Sequence, residues 1–226
     1  MTELGTLAPL NSDVKLACMR LTSQYELRKA RVHPFNLLVA HAVYKSGKSV
    51  KGSRTWKPIA QISDALEEAF YLAFKTIVPT GKRTMIGLDV SGSMSSPFMG
   101  SPLLVCEGAA AMAMTTMRTE KDYIVMAFDQ GMRDLPITEK SSLADVLRHT
   151  RDINGGGTDC SLPMLGAMKF NLQVDTFIVI TDNETWAGPV HPVKALNDYR
   201  MKTGIDAKLI VVGMTSTGFT IADPSD

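Results

Sequence analysis

Two textures of apolar spacing divide the chain. Up to Pro79 the apolar residues recur at helical intervals, and from Thr80 they gather into short unbroken runs. In the first part, "SDVKLACMRLTSQYELRKA" opens on a capping Ser12 or Asp13 and sets Val14, Leu16, Ala17, Leu21 and Leu27 on a loose helical stripe. "HPFNLLVAHAVYKSG" has Pro34 in its first turn and stops at Gly47, the asymmetry expected of a helix. "SVKGSRTWKP" reads as a loop by its Gly, Ser and Pro content. A third helix, "IAQISDALEEAFYLAFKTIV", carries a broad stripe of Ile62, Ala65, Leu66, Ala69, Phe70, Phe74 and Ile77.

In the second part, strands alternate with helices. "RTMIGLDV", "DYIVMAFD", a short "GMRDLP", "DTFIVITDNE" and "AKLIVVGM" read as strands. "SPLLVCEGAAAMAMTTMRT", "SLADVLRHTRDI", "SLPMLGAMKF" and "HPVKALNDYRMKTG" read as helices. Apolar strands alternating with helices predict an α/β domain: a doubly wound, mainly parallel sheet with helices on both faces. The expected organisation is a helical segment over residues 1–79 followed by this domain over 80–226.

Composition agrees with a well-filled core, at 45% hydrophobic and 21% charged residues. No run approaches the roughly 18 apolar residues of a membrane span, and "MTELGTLAPL" lacks the layout of a secretory leader. Cys18, Cys106 and Cys160 are widely spaced, with no histidine at zinc-site spacing, and are read as reduced thiols of a cytoplasmic protein. Cys18 and Cys106, among apolar neighbours, are expected to be buried. The net charge of +1 conceals an asymmetry. Residues 1–58 hold ten Lys or Arg against three acids, a net of +7, and the remainder 14 against 20, a net of −6. A basic front on an acidic body predicts two units with different partners.

Polar residues cluster where the predicted strands end. Asp89, Ser91 and Ser93 follow the first strand, Thr158 and Asp159 close the turn "NGGGTDC", and Asp182, Asn183 and Glu184 end "TFIVIT". In a doubly wound sheet these ends share one edge, the edge at which ligands bind. Hydroxyls and carboxylates without His or Cys suit a hard divalent cation, Mg²⁺ first, with Mn²⁺ or Ca²⁺ as the other candidates. Gly92 permits a tight turn, and Gly155, Gly156 and Gly157 a close backbone approach. Other chemistries fit less well. Ser91 lacks the flanking glycines of a nucleophile elbow. His191, in a helix-start "HP", supplies no evident base, and "NGGGTD" lacks the lysine of a phosphate loop.

The arrangement D-x-S-x-S, a distant Thr and a distant Asp resembles the metal-ion-dependent adhesion site of von Willebrand factor A domains, and "DVSGS", "GGTD" and "TDNE" match it. That resemblance implies metal contacts from Ser91, Ser93 and Thr158, with Asp89 and Asp182 acting directly or through water. It leaves one position for a partner's carboxylate or solvent. "HPFNLLVAHAVYKSG", "PTGKR", "MRTEKD", "GGTDCSLPM", the "TDNETWAG" and "VHP" stretch, and "AKLIVVGMTSTGFTIADP" together look like the Ro ribonucleoprotein (TROVE) family. Its members join a ring of HEAT-like repeats to an A domain. They bind small noncoding Y RNAs and act in RNA quality control and stress survival without being enzymes. By that resemblance residues 1–79 are the last helices of a HEAT-like ring, and the A domain is shortened at its C-terminus.

Lys45, Lys48, Lys51, Arg54 and Lys57 recur at every third residue, with Trp56 beside them. Interleaved cations and an aromatic can bind phosphates and stack on a base, so these six are the candidate RNA contacts. Arg28, Lys29, Arg31 and His33 form a second basic cluster. The expected function is a non-catalytic, metal-dependent module of an RNA-binding protein, with small noncoding RNA and an acidic protein partner, and neither membrane nor DNA. The alternatives are a stand-alone protein-interaction module and a metal-dependent hydrolase using Asp159 or Glu184 as base.

Overall fold

The structure, a computed structural model, describes residues 11–151, 156–182, 188–216, 218 and 220–222. The chain forms two compact units: Met1–Val78 with Pro97–Leu103, and Pro79–Ser96 with Leu104–Asp226.

The first unit is helical. The stretch read as one opening helix is two, α1 (Ser12–Leu21) and α2 (Gln24–Lys29). The break falls where the Ser23 hydroxyl accepts a hydrogen bond from the Glu26 N–H and caps the second helix. Asn11 caps α1 in the same way, through the Asp13 N–H at 2.7 Å. Helix α3 (Pro34–Ser46) starts at its proline and ends on Gly47, and α4 (Ala60–Ala73) continues into a 3₁₀ turn over Phe74–Thr76. Helices α1, α2 and α3 pack on α4, whose Ile62, Ala65, Leu66, Ala69 and Phe70 are buried. Ile77 is only half-buried, and Leu16, placed on the α1 stripe by its spacing, is exposed.

The second unit carries β1 (Thr84–Asp89), β2 (Tyr123–Phe128), β3 (Met132–Asp134), β4 (Thr176–Thr181) and β5 (Lys208–Gly213). Their order is β3-β2-β1-β4-β5, all parallel except the β2–β3 pair. Helices α5 (Val105–Thr119), α6 (Leu143–Arg151), α7 (Leu162–Lys169) and α8 (Pro192–Thr203) accompany the sheet. All of β1 is buried, as a central strand covered on both faces must be. Met85 joins a core with Met164 of α7 and Leu196 and Tyr199 of α8, which leaves Ile86 and Leu88 to the opposite face, where α5 packs. Strand β5 departs from the pattern read from its apolar run: Lys208 and Ile210 are exposed, so one face of this edge strand is uncovered among the described residues.

Helix α5 also begins later than its apolar run suggests. Pro97–Leu103 belongs instead to the helical unit, where the Phe98 ring meets Phe35 edge-on at 5.4 Å. No helix among the described residues is long and apolar enough to cross a membrane.

Candidate functional site

Strand order reverses between β1 and β4, because β2 lies on one side of β1 and β4 on the other. A crevice forms at such a switch point, outside the carboxyl ends of the strands. Asp89 ends β1 there, and the residue is 1% exposed. One carboxylate oxygen, Oδ1, accepts the Ser91 N–H at 2.8 Å, and Oδ2 accepts the Thr181 hydroxyl at 2.6 Å. The register continues Leu88 opposite Ile180, so Thr181 is the next residue on the neighbouring strand.

The loop after Asp89 tightens into a 3₁₀ turn over Gly92–Ser95. This brings the Ser91 and Ser93 hydroxyl oxygens to 3.2 Å from each other. Asp182 follows β4, is buried, and its carbonyl accepts the Thr215 hydroxyl at 2.8 Å. It lies close enough to Asp89 for its charge to act on that carboxyl. Burial pushes the Asp89 carboxyl up to about 6, and the negative Asp182 adds to the rise, against hydrogen bonds from Thr181 and Ser91. Two buried carboxylates beside a pair of hydroxyl oxygens are a setting a divalent cation would relieve. No Lys or Arg pairs with Asp89 among the described residues.

Thr158 is buried in the turn before α7. That turn is tied to the end of β2, where the Asp159 N–H donates to the Asp129 carbonyl at 2.8 Å. Asp129 is itself held by the Gly131 N–H and the Arg133 guanidinium. Asp159 points its Oδ1 at the N–H and hydroxyl of Ser161, at 3.0 and 2.6 Å. Its Oδ2 lies where a Cβ on Gly188 would stand, so only glycine fits there. A small cavity of about 30 Å³ beside the loop is lined by Asp89, Ser91, Cys106 and Arg151, among others. The Arg151 guanidinium pairs with Glu107.

The structure thus brings Asp89, Ser91 and Ser93 together, sets Asp182 beside them, and buries Thr158 in a turn anchored at the same strand ends. Among the described residues no group of three or more His, Cys, Asp or Glu is arranged to hold a metal, so an ion here would depend on the hydroxyls. Gly155, Asn183 and Glu184 lie outside the described residues. Thr181 and Asp129 were not singled out from the sequence. Thr181 stands beside Asp182, yet its partner is known only once β1 and β4 are known to be neighbours.

The basic row behaves differently from its aromatic. Lys45, Lys48, Lys51, Arg54 and Lys57 are all exposed, and none makes an ion pair among the described residues. Residues 47–56 form a hairpin, bridged at Lys48 and Thr55 and closed by the Trp56 N–H on the Gly47 carbonyl at 2.8 Å. Trp56, expected to stack on a base, is packed within the helical unit instead. It is buried, its ring stacks on Tyr44 at 6.2 Å, and its indole N–H donates to the Tyr44 carbonyl at 2.8 Å. A large aromatic with an apolar helix beside it gains more from burial than from solvent. Of the second cluster, Arg28, Lys29 and Arg31 are exposed, while His33 caps α3 through the Phe35 N–H. Cys160 is fully buried, but Cys18 and Cys106 are only partly so, contrary to their apolar neighbours; none of the three is in a disulfide.

The family model of the Ro60 vWA domain matches residues 83–226. The RNA-binding protein RO60 of Caenorhabditis elegans is 47% identical, over 100% of this chain and 35% of that protein. The protein of the same name from Deinococcus radiodurans is 46% identical, over 98% of this chain and 42% of its own length. The crystal structure of the Deinococcus radiodurans RO (RSR) protein superposes on 100% of this chain and 47% of its own, with a TM-score of 0.91 and 44% identity. The chain spans less than half the length of each of these relatives.

Proposed function

Because this chain belongs to the Ro60 vWA domain family, we propose that it is the metal-binding part of a non-catalytic, RNA-binding Ro-type protein. The observation that carries the metal assignment is the buried Asp89 carboxylate fixed beside the paired Ser91 and Ser93 hydroxyls. Ser91, Ser93 and Thr158 would hold the ion through their hydroxyl oxygens, and Asp89 and Asp182 directly or through water. Mg²⁺ fits this oxygen-only set best, with Mn²⁺ or Ca²⁺ as alternatives. The bound ion would supply positive charge for an acidic group on a protein partner.

The protein's own residues do the positioning. Thr181 and the Ser91 N–H keep the Asp89 carboxylate oriented, and the 3₁₀ turn keeps the two serine hydroxyls adjacent. Asp159, the described candidate for a base, is engaged by Ser161 on one oxygen and packed against Gly188 on the other. That engagement favours a binding role over a hydrolytic one.

The helical unit would be the end of a HEAT-like ring in a cytoplasmic protein, with small noncoding RNA of the Y type as ligand and RNA quality control under stress as its setting. Relatives named RNA-binding proteins and the five exposed cations in and beside the hairpin support this reading. The test is binding of a structured Y-type RNA between about 50 and 200 mM salt. Replacing Lys45, Lys48, Lys51, Arg54 and Lys57 by Gln should weaken binding and flatten its salt dependence. Unchanged affinity and slope would remove the RNA assignment.

A further inference from the structure

One residue outside the proposed ion contacts holds the Thr158 turn from both sides. Asp89 pairs in register with Phe128, and the Val90 N–H donates to the Phe128 carbonyl at 3.0 Å. Asp129, next along the chain, therefore stands at the same strand ends as Asp89. Its carbonyl accepts the Asp159 N–H, one residue after Thr158. Its carboxylate accepts the Gly156 N–H, two residues before Thr158. The two bonds bracket Thr158 between them. A Cβ on Gly156 would stand 3.0 Å from the Gln130 amide carbon, so the bare glycine lies against the side chain that follows Asp129.

Asp129 can do this because its own carboxylate is fixed. The residue is buried, and a buried carboxylate is costly without donors. Oδ1 accepts the Gly131 N–H at 3.0 Å and Oδ2 the Arg133 guanidinium at 2.7 Å, from the β2–β3 turn and from β3. The arginine is half exposed, so the pair adds little to stability, and its larger effect is on where the carboxylate points. On the far side of the turn, the Cys160 thiol lies 3.9 Å from the Thr181 hydroxyl, which donates to Asp89. A continuous set of contacts runs from Arg133 through Asp129 and the Thr158 turn to Asp89.

We infer that Asp129 is the positioning residue of the metal edge: not itself a ligand, it holds Gly156 and Asp159, sets the place of the Thr158 hydroxyl, and so sets the affinity for a divalent cation. The inference rests on the metal reading above and adds to it a residue that the two aspartates, two serines and threonine do not include. Through Arg133 it also makes the short strand β3 part of the support of the site. Such partners behind a metal ligand matter to affinity nearly as the ligands do.

The test uses the full chain, with calorimetric titration of Mg²⁺ and, in EDTA, amide hydrogen exchange followed by NMR. Asp129→Asn keeps the size and removes the charge and one acceptor. It should weaken Mg²⁺ binding about tenfold or more. Without metal it should speed exchange of the Gly156 and Asp159 amides, while the Ser91 amide, held by Asp89, keeps its wild-type rate. Arg133→Gln, at an exposed position, should weaken Mg²⁺ binding about two- to fivefold, and it decides the matter if Asp129→Asn does not fold. Asp175→Asn is the control. That carboxylate binds the Arg83 guanidinium just before β4, at the opposite end of the strands, and its loss should leave Mg²⁺ affinity within about twofold. Wild-type affinity in both Asp129→Asn and Arg133→Gln would overturn the positioning role and leave the metal site standing. An equal loss in Asp175→Asn, or Ser91 exchange accelerated as much as that of Gly156 and Asp159, would reduce the effect to general loosening and overturn it as well. No saturable Mg²⁺ heat in the wild type would remove the metal reading and the inference with it.

Discussion

The Asp89 carboxylate accepts a 2.6 Å hydrogen bond from the Thr181 hydroxyl, and this bond ties the end of β1 to the end of β4 where the strand order reverses. It fixes one oxygen of the most buried carboxylate at the edge while leaving the serine hydroxyls adjacent to it.

Thr181→Val removes the donor and keeps the shape. Hydrogen bonds to a charged group contribute about 1.5–3 kcal/mol, so Mg²⁺ affinity at neutral pH should fall by about tenfold or more. Isothermal titration of the variant checks this; wild-type affinity would show that the bond does not orient the site.

The raised Asp89 carboxyl has a stability consequence in the metal-free protein. Its folded value of about 6 lies above the ordinary 3.8, so burial penalises the ionised form. The associated stability is fully present below 3.8 and is lost as pH rises through about 6. Asp89→Asn removes this dependence. In EDTA the wild type should therefore lose about 1–3 kcal/mol relative to the variant between about pH 4 and pH 7.5. Parallel denaturant curves at both pH values would contradict the assignment.

Gly87 sits in β1 with α7 against it: an added Cβ would stand 2.5 Å from Pro163 Cγ. Gly87→Ala should cost about 1–3 kcal/mol through overpacking in chemical denaturation, with the loop after Asp89 intact. A neutral result would mean that α7 can retreat from the sheet.

Trp56→Ala should destabilise the helical unit by about 3–5 kcal/mol, since it empties a buried site and removes the shorter of two hydrogen bonds to the Tyr44 carbonyl, leaving the Gly47 N–H. Trp56→Phe should cost less and leave the salt dependence of RNA binding unchanged. A Trp56→Phe variant that folds normally yet loses RNA would restore the stacking role.

Much of the α/β unit was legible because four of its five strands are apolar runs bounded by polar turns, and those four appear where their runs lie, with the short, polar β3 inside "GMRDLP". The Asp89–Ser91–Ser93 loop was legible because three oxygen-bearing side chains fall within five residues at a strand end. Long-range pairings were not. Nothing local in "TFIVIT" says that Thr181 faces Asp89, because that depends on β1 and β4 being neighbours. Trp56 misled for a related reason. Among lysines and glycines it reads as a surface aromatic, and only the fold reveals Tyr44 beneath it. Pro97–Leu103 was hidden by its proximity to the start of an apolar helix, while its structural allegiance is to the helical unit.

The central claim is that the edge at Asp89 binds a divalent cation through Ser91, Ser93, Thr158 and the two aspartates. Calorimetric titration of Mg²⁺, and then Mn²⁺, into the wild-type chain and into Asp89→Ala tests it most directly. The account predicts a saturable single-site heat in the wild type that disappears in the variant, while both proteins retain the same circular dichroism spectrum. Equal heats from the two proteins would contradict it.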